Sequence, residues 1–535
     1  MRLNLPRLTF TVLLGLLSAF GPLSGPKAEA AEGTCREAGL PSYRIDGAES
    51  YASYREKTRD RRRRCTKEWT VLVYMAADND LGPYAFWDLY EMEAGFRSGL
   101  GGAGSTTRVD LVVQLDTPGR EGIRRFHMHQ APEPFDDRLD FEFFRNRRSS
   151  DLRSPQIGET LAEDPARPQS EARKLKDFLT WGFREFPAKN TFVIVWGHGQ
   201  GWTSRRARVG PSNGSQSPIF TTPSAFGGVA FNETQSSFIG IPSLASVLSQ
   251  VSREVLGGRP VDVYASDACL MQMTEVASEL RESVRFIAGS AQVHSFLGLP
   301  YRRLMYELNT GRLGTPHLGA GLAQLPDEAE KIARALPHLL EASLKPGGSQ
   351  ARFAPKAIET VTLSTLATGP LHHELLPALD TLGMALLSYV QEGNGRDDGP
   401  DVGRLIALDE IAGRAPSFQG SATDLGAFLT LLEHHLQSEY AQGRQTRAGQ
   451  ALRRTVTGTR EALSRTVLEW ALGTEYRRNA ESFHLFGFRG LSAWIPASAD
   501  DRDARLQDFR RSRMHQRAPG WSRWIGSLHG GVLPP

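Results

Sequence analysis

Cysteine is scarce in this chain. Its 535 residues include three, Cys35, Cys65 and Cys269, too few for a disulfide framework at this length. Cys35 and Cys65 lie close together near the N-terminus and can pair, which would leave Cys269 alone; whether they pair stays open. Long apolar runs are also missing. The stretch from Leu8 to Phe20 is shorter than the ~20 residues of a membrane helix, and no later run is long enough to span a bilayer. Nor is there a strong excess of one charge. A net charge of +3 and a pI of about 8.7 are too modest, for this length, to indicate a nucleic-acid binder. No His-Glu-x-x-His or clustered Cys/His spacing is present, which disfavours a metalloenzyme and leaves the metal ligands at none. His127 and His129 alternate onto one strand face, but no ligand stands at suitable spacing, so they read as strand surface.

What is present begins at the N-terminus. Arg2 and Arg7 precede the apolar stretch, and Ala28-Glu29-Ala30 follows it. This is the layout of a secretory signal peptide over residues 1–30, so a secreted or periplasmic location is expected; an uncleaved anchor is the alternative. Residues 31–66 are polar and end near Arg61-Arg62-Arg63-Arg64. They read as an N-terminal segment, either solvated surface or a propeptide with a processing site.

At Trp69 the pattern changes. Thr70 to Met75, Val109 to Leu115, Thr191 to Trp196, Val261 to Ala265 and Arg285 to Ser290 read as strands, being apolar and rich in β-branched residues. Arg125 to His129 is a further candidate. Between them, Ala85, Leu89 and Met92, then Leu175, Phe178 and Leu179, then Met273, Val276, Ala277 and Leu280 recur at helical spacing. Strands alternating with helices imply an α/β fold with a mostly parallel sheet flanked by helices. Its site is expected beyond the carboxyl ends of the strands. Asp78 and Asp80, in the loop after the first strand, read as turn-forming or N-capping residues, with a cation site as the alternative. The domain reading is 67–310 for this α/β unit. A largely helical C-terminal region over 311–535 completes it or is appended to it.

Two strands end in chemistry. One breaks at Gly197-His198-Gly199, the other at Ser266-Asp267-Ala268-Cys269. A thiol attacks as thiolate, and a free cysteine has a pKa of about 8.5, so it needs a partner. A histidine on a neighbouring strand end can take that proton and later give it to the leaving amine. Backbone N–H groups of Gly199 and Cys269 can form an oxyanion hole. A helix starting straight after Cys269 would favour the thiolate through its positive end. Taken singly, a buried cysteine or a structural histidine is the commoner finding; the two together, each closing a strand, are stronger.

These motifs resemble the clostripain family of cysteine peptidases. The resemblance rests on Glu68 to Leu81 (EWTVLVYMAADNDL), Val112 to Asp116 (VVQLD), Trp196 to Trp202 (WGHGQGW) and Asp267 to Met271 (DACLM), with Gly490-Leu491-Ser492 and Pro496 as a later element. It covers about 68–310 well and the rest thinly. It implies a caspase-like fold and a catalytic dyad of His198 and Cys269. It also implies a pocket carboxylate, Asp267, for Arg or Lys before the scissile bond; an N-cap role for Asp267 is the alternative. Self-activation is implied too, by cleavage after Arg206 or Arg208 in the loop 203–228. One departure is that Ala291 to Tyr301 (AQVHSFLGLPY) lacks the family's acidic positions. A weaker basic preference is then expected, and His294 is either near substrate or on the surface. No cofactor is expected, and calcium dependence stays open. Polypeptides are the expected partners. The expected function is therefore an exported cysteine endopeptidase cutting after Arg or Lys. The alternatives are a non-catalytic binding or scaffold protein that keeps the fold, and a transpeptidase.

Overall fold

The computed structural model describes residues 66–531, apart from 96–101, 107, 119–121, 132–134, 137–138, 159, 162–169, 203–226, 312–321, 323–324, 355, 393–399, 419–420 and 475–486. Eight strands form the main sheet: β1 (Lys67–Ala76), β2 (Val109–Asp116), β3 (Arg124–His127), β4 (Ala188–Trp196), β7 (Val261–Asp267), β8 (Val284–Gly289), β9 (Thr362–Ala367) and β12 (Val467–Leu472). Their order is β12-β9-β8-β7-β4-β1-β2-β3. The central run from β8 to β2 is parallel, while β3, β9 and β12 are antiparallel. The parallel strands are buried on both faces, which is why they read as continuous apolar runs.

Side chains alternate between two cores. Leu72, Tyr74, Val193 and Val195 enter one, shared with Phe178 of helix Glu171–Glu185 and Leu248 of helix Ile241–Glu254. Val71, Val73, Phe192 and Ile194 enter the other, shared with Leu89 of helix Gly82–Glu93 and Leu336 of helix Glu328–Leu344. This period of two fixes which residues of each strand face which helices. The result is the caspase-like α/β architecture with a largely helical C-terminal region. Among the described residues, no helix is long and apolar enough to cross a membrane.

Several elements differ from the sequence reading. The 311–480 region contributes β9 and β12 to the main sheet. Residues 228–240 form a hairpin, β5 (Gly228–Asn232) and β6 (Ser237–Gly240). His127 and His129 are buried rather than on a strand surface. His127 Nε2 meets Asp110 at 2.8 Å and His127 Nδ1 meets His129 Nε2 at 2.7 Å. Burial pushes His129 down to a pKa of about 2, so it is neutral there. The helix after Cys269 starts only at Thr274 and runs to Leu280. Leu270, at φ 62°, turns the chain first, and the loop 269–272 lies against 290–292 through Leu270 N–H to Gln292 O (3.1 Å) and Gln272 N–H to Ser290 O (3.0 Å).

The C-terminal region packs directly on this helix. Residues Ser417–Phe418, Ala422–Asp424 and Ser492–Trp494 (β10, β11 and β13) form a small antiparallel sheet. Ser492 N–H donates to Gln272 O at 3.1 Å, and Trp494 N–H to Glu275 Oε1 at 2.8 Å. Glu275 is wholly buried, and burial pushes its pKa up to about 7. The folded state therefore keeps a proton that the unfolded chain sheds above about 4.5, so stability falls as pH rises from there through about 7. Glu275→Gln removes that loss, on the order of 3 kcal/mol. We expect a higher Tm than wild type at pH 8, by at least ~2 °C, and no gain at pH 4.5, read by scanning calorimetry.

Candidate active site

β4 and β7 are parallel neighbours with Trp196 opposite Asp267. His198 and Cys269 each follow two residues later, so both leave adjacent strands at the same sheet edge. Gly197 makes the tight exit possible. Its φ of +141° suits glycine, and a Cβ there would stand 3.0 Å from Ala76 O. Gly199 is closer still to the thiol loop: a Cβ would meet Cys269 O at 2.4 Å. Ala230 N–H donates to His198 O at 3.0 Å and Gln200 N–H to Gly228 O at 2.9 Å. Gly199 and Val229 are thus a non-hydrogen-bonded antiparallel pair, and the Gly199 N–H points away from the hairpin.

His198 Nε2 meets Asp80 Oδ1 at 2.6 Å. The hydrogen bond with His198 holds the Asp80 carboxyl below its usual range. Asp80 does not cap the following helix, whose N-cap, Leu81, makes no side-chain capping bond. The loop that carries Asp80 is fixed by its neighbours. Asn79 Nδ2 donates to Ala76 O (2.9 Å) and Phe231 O (2.7 Å), and Asp78 accepts from Thr234 Oγ1 (2.8 Å). Those contacts give Asp78 and Asn79 structural jobs and leave Asp80 to orient the imidazole. Sequence reasoning missed this role. The usable signal was position, since β1 lies beside β4 with Met75 opposite Trp196.

Cys269 Sγ accepts the backbone N–H of His294 at 3.3 Å. Burial pushes the thiol up to about 11, with the nearby Asp267 charge adding to the rise. Among the described residues the His198 imidazole is turned to Asp80 and makes no hydrogen bond with Cys269. The thiol is therefore neutral in this arrangement, although Cys269 itself is only half-buried. No helix N-terminus abuts the sulfur, because the intervening turn separates Cys269 from Thr274.

Asp267 is buried at the end of β7, its side chain 1% exposed. Its Oδ2 accepts from Leu299 N–H (3.0 Å) and Tyr301 O–H (2.7 Å), and His294 Nε2 stands 3.1 Å from Oδ1. It caps no helix, because Met273 holds that position. His294, read as near substrate or on the surface, has its side chain only 3% exposed, folded in between the thiol loop and Asp267. The loop it belongs to is held by β9, through Gln292 N–H to Thr362 Oγ1 (3.0 Å). Residues 1–30, read above as a signal peptide, and Cys35, Cys65, Arg206 and Arg208 lie outside the described residues. Among the described residues, no group of three or more His, Cys, Asp or Glu is placed to hold a metal ion.

The class defined by this fold, with a histidine and a cysteine on adjacent strand ends, is that of caspase-like cysteine hydrolases. More narrowly, residues 73–313 match the model of the clostripain family of cysteine peptidases, so that segment is similar to this family. Solved structures are similar as well. One is an inactive protease zymogen from Parabacteroides distasonis, at 17% identity and a TM-score of 0.48, covering 85% of this chain and 98% of that one. Another is a secreted cysteine protease from Bacteroides thetaiotaomicron in complex with an irreversible peptide inhibitor, at 19% identity and a TM-score of 0.48, covering 84% and 99%. Among curated proteins, none matches the chain.

Proposed function

We propose that the protein is an exported endopeptidase that hydrolyses peptide bonds after Arg or Lys. Cys269 is its nucleophile and His198 its proton carrier. The observation that carries this is the shared register of β4 and β7, which brings the two residues to one sheet edge. His198 accepts the thiol proton, the thiolate attacks the scissile carbonyl, and the imidazolium protonates the leaving amine. Water then hydrolyses the acyl-enzyme. The N–H groups of Gly199 and Cys269 are assigned to the developing oxyanion. Asp267 is assigned to the basic side chain of the substrate, because a buried carboxylate beside the nucleophile pairs with a guanidinium or ammonium.

In this arrangement the thiol is neutral and Asp267 is covered, as in a latent form. We assign activation to self-cleavage after Arg206 or Arg208. Intact mass spectrometry of incubated wild type is expected to give two fragments cut between residues 203 and 228, and one uncut chain for Cys269→Ala. A fully active, unbroken wild-type chain contradicts it. The specificity is tested with fluorogenic peptides bearing Arg, Lys, Asn, Asp or Leu before the cleaved bond. Preference for Arg and Lys is expected; thiol-dependent cleavage after another residue keeps the mechanism and rejects the basic pocket.

A further inference from the structure

Asp88, on the inner face of helix Gly82–Glu93, has no part in the chemistry above and is wholly buried. Its Oδ2 accepts the indole N–H of Trp196 at 2.7 Å. Its Oδ1 has no hydrogen-bond partner among the described residues. Asp267 stands close by. A Cβ added to Gly298 would lie 2.7 Å from Asp267 Oδ2 and 2.9 Å from Asp88 Oδ2. The two carboxylates therefore converge on the bare α-carbon of Gly298. The φ of +59° there suits glycine, so both backbone shape and space call for a residue with no side chain.

No Lys or Arg forms an ion pair with either carboxylate among the described residues; the one basic neighbour is His294. Burial, then the charge of Asp267, then that of Glu91, hold Asp88 well above the usual carboxylate range. Without a cation beside it Asp88 therefore keeps its proton, which a guanidinium bound between the two groups would displace to solvent. His294 is an imperfect occupant. Its Nε2 is 3.1 Å from Asp267 Oδ1, yet neither ring nitrogen makes a well-directed hydrogen bond. Its own backbone N–H is the group on Cys269 Sγ, so one residue covers the carboxylate and clamps the nucleophile.

We propose that Asp88 and Asp267 together receive the basic side chain of the substrate, and that His294 is the internal group this side chain displaces. The proposal rests on the basic-residue reading of the function. Asp88 then supplies, from the helix after β1, acidic character that the 291–299 loop lacks. Two carboxylates match a planar guanidinium better than one, because its N–H donors spread along two edges. Displacing His294 also frees the sulfur from its N–H, which couples recognition to release of the nucleophile.

The test compares activated wild type, Asp88→Asn and Asp267→Asn on an Arg peptide, with alkylation of Cys269 by iodoacetamide as a readout that needs no basic pocket. Asp88→Asn is expected to lower kcat/KM for the Arg peptide by about 10-fold or more, mainly through KM, with alkylation within about 2-fold of wild type. Loss of peptide cleavage and alkylation in equal measure makes Asp88 a structural residue and overturns the proposal. If Asp267→Asn loses the Arg preference while Asp88→Asn keeps it, the proposal falls and the basic-residue reading stands. If wild type prefers no basic residue, the reading falls and the proposal with it. A second measurement does not depend on the Asp88 variant folding: a crystal structure of Cys269→Ala with agmatine. A guanidinium bonded to both carboxylates, with His294 moved aside, supports the proposal; contact with Asp267 alone, or with neither, overturns it.

Discussion

Cys269→Ala is expected to reduce peptide hydrolysis on the order of 10⁵-fold or more, to the background of the assay. The side chain supplies the bond to the substrate carbonyl, and nothing else at this sheet edge can replace it. His198 is a base without a nucleophile once the sulfur is gone, and the N–H groups of Gly199 and Cys269 stabilise an oxyanion that no longer forms efficiently. The fold is expected to survive. Among the described residues the thiol makes one hydrogen bond, from His294 N–H, and alanine keeps the β-carbon and removes only the sulfur. The comparison needs wild type and variant in the same processed state, since the variant is expected to stay uncut. Cutting both preparations with an added protease removes that difference. Residual activity above about one percent of wild type would show that another group attacks the peptide.

Asp80→Ala is expected to lower kcat by about 10- to 1,000-fold with KM nearly unchanged. Asp80 is the hydrogen-bond partner of His198, at 2.6 Å. Without it the ring can rotate and take the wrong tautomer, so fewer molecules present a nitrogen to the sulfur. The effect should be kinetic rather than structural, because the Asp80 side chain is 42% exposed and an exposed ion pair adds little stability. Thermal unfolding should therefore move little. The pH profile separates the two roles. Asp80 is held below 3.8 by its hydrogen bond with His198, so it stays ionised from pH 5 to pH 9. The penalty of the variant should then be near constant across that interval at saturating substrate. A loss under about threefold would make the pair an ordinary surface contact.

The five central strands were legible because strands buried on both faces must be apolar throughout. His198 and Cys269 were legible for a related reason: each stands where such a run stops. What the sequence did not reveal depends on partners far away in the chain. β12 reads Val-Leu-Glu-Trp-Ala-Leu and follows a 20-residue helix, Arg447–Thr466. Leu, Ala and Glu are good helix formers, and only pairing with β9 makes the segment a strand. Asp80 lies 118 residues from His198, and a turn-rich Asp-Asn-Asp sequence has an adequate local explanation. Asp88 and His294 were hidden differently. A single acid in a helix ordinarily faces water, and a histidine in a polar loop ordinarily lies on the surface. Their burial follows from the way Gly298 lets the 291–299 loop close over the end of β7, which no local pattern encodes.

The central claim is that Cys269 is a nucleophile activated by His198 at a site that recognises a basic residue. The most direct measurement is to treat the activated protein with a peptidyl chloromethyl ketone ending in arginine, and to map the modified residue by peptide mass spectrometry. The account predicts one adduct, on Cys269, forming much more slowly in His198→Ala and with the matching leucine reagent. Modification of another residue, or equal rates with the arginine and leucine reagents and in the His198 variant, would contradict it.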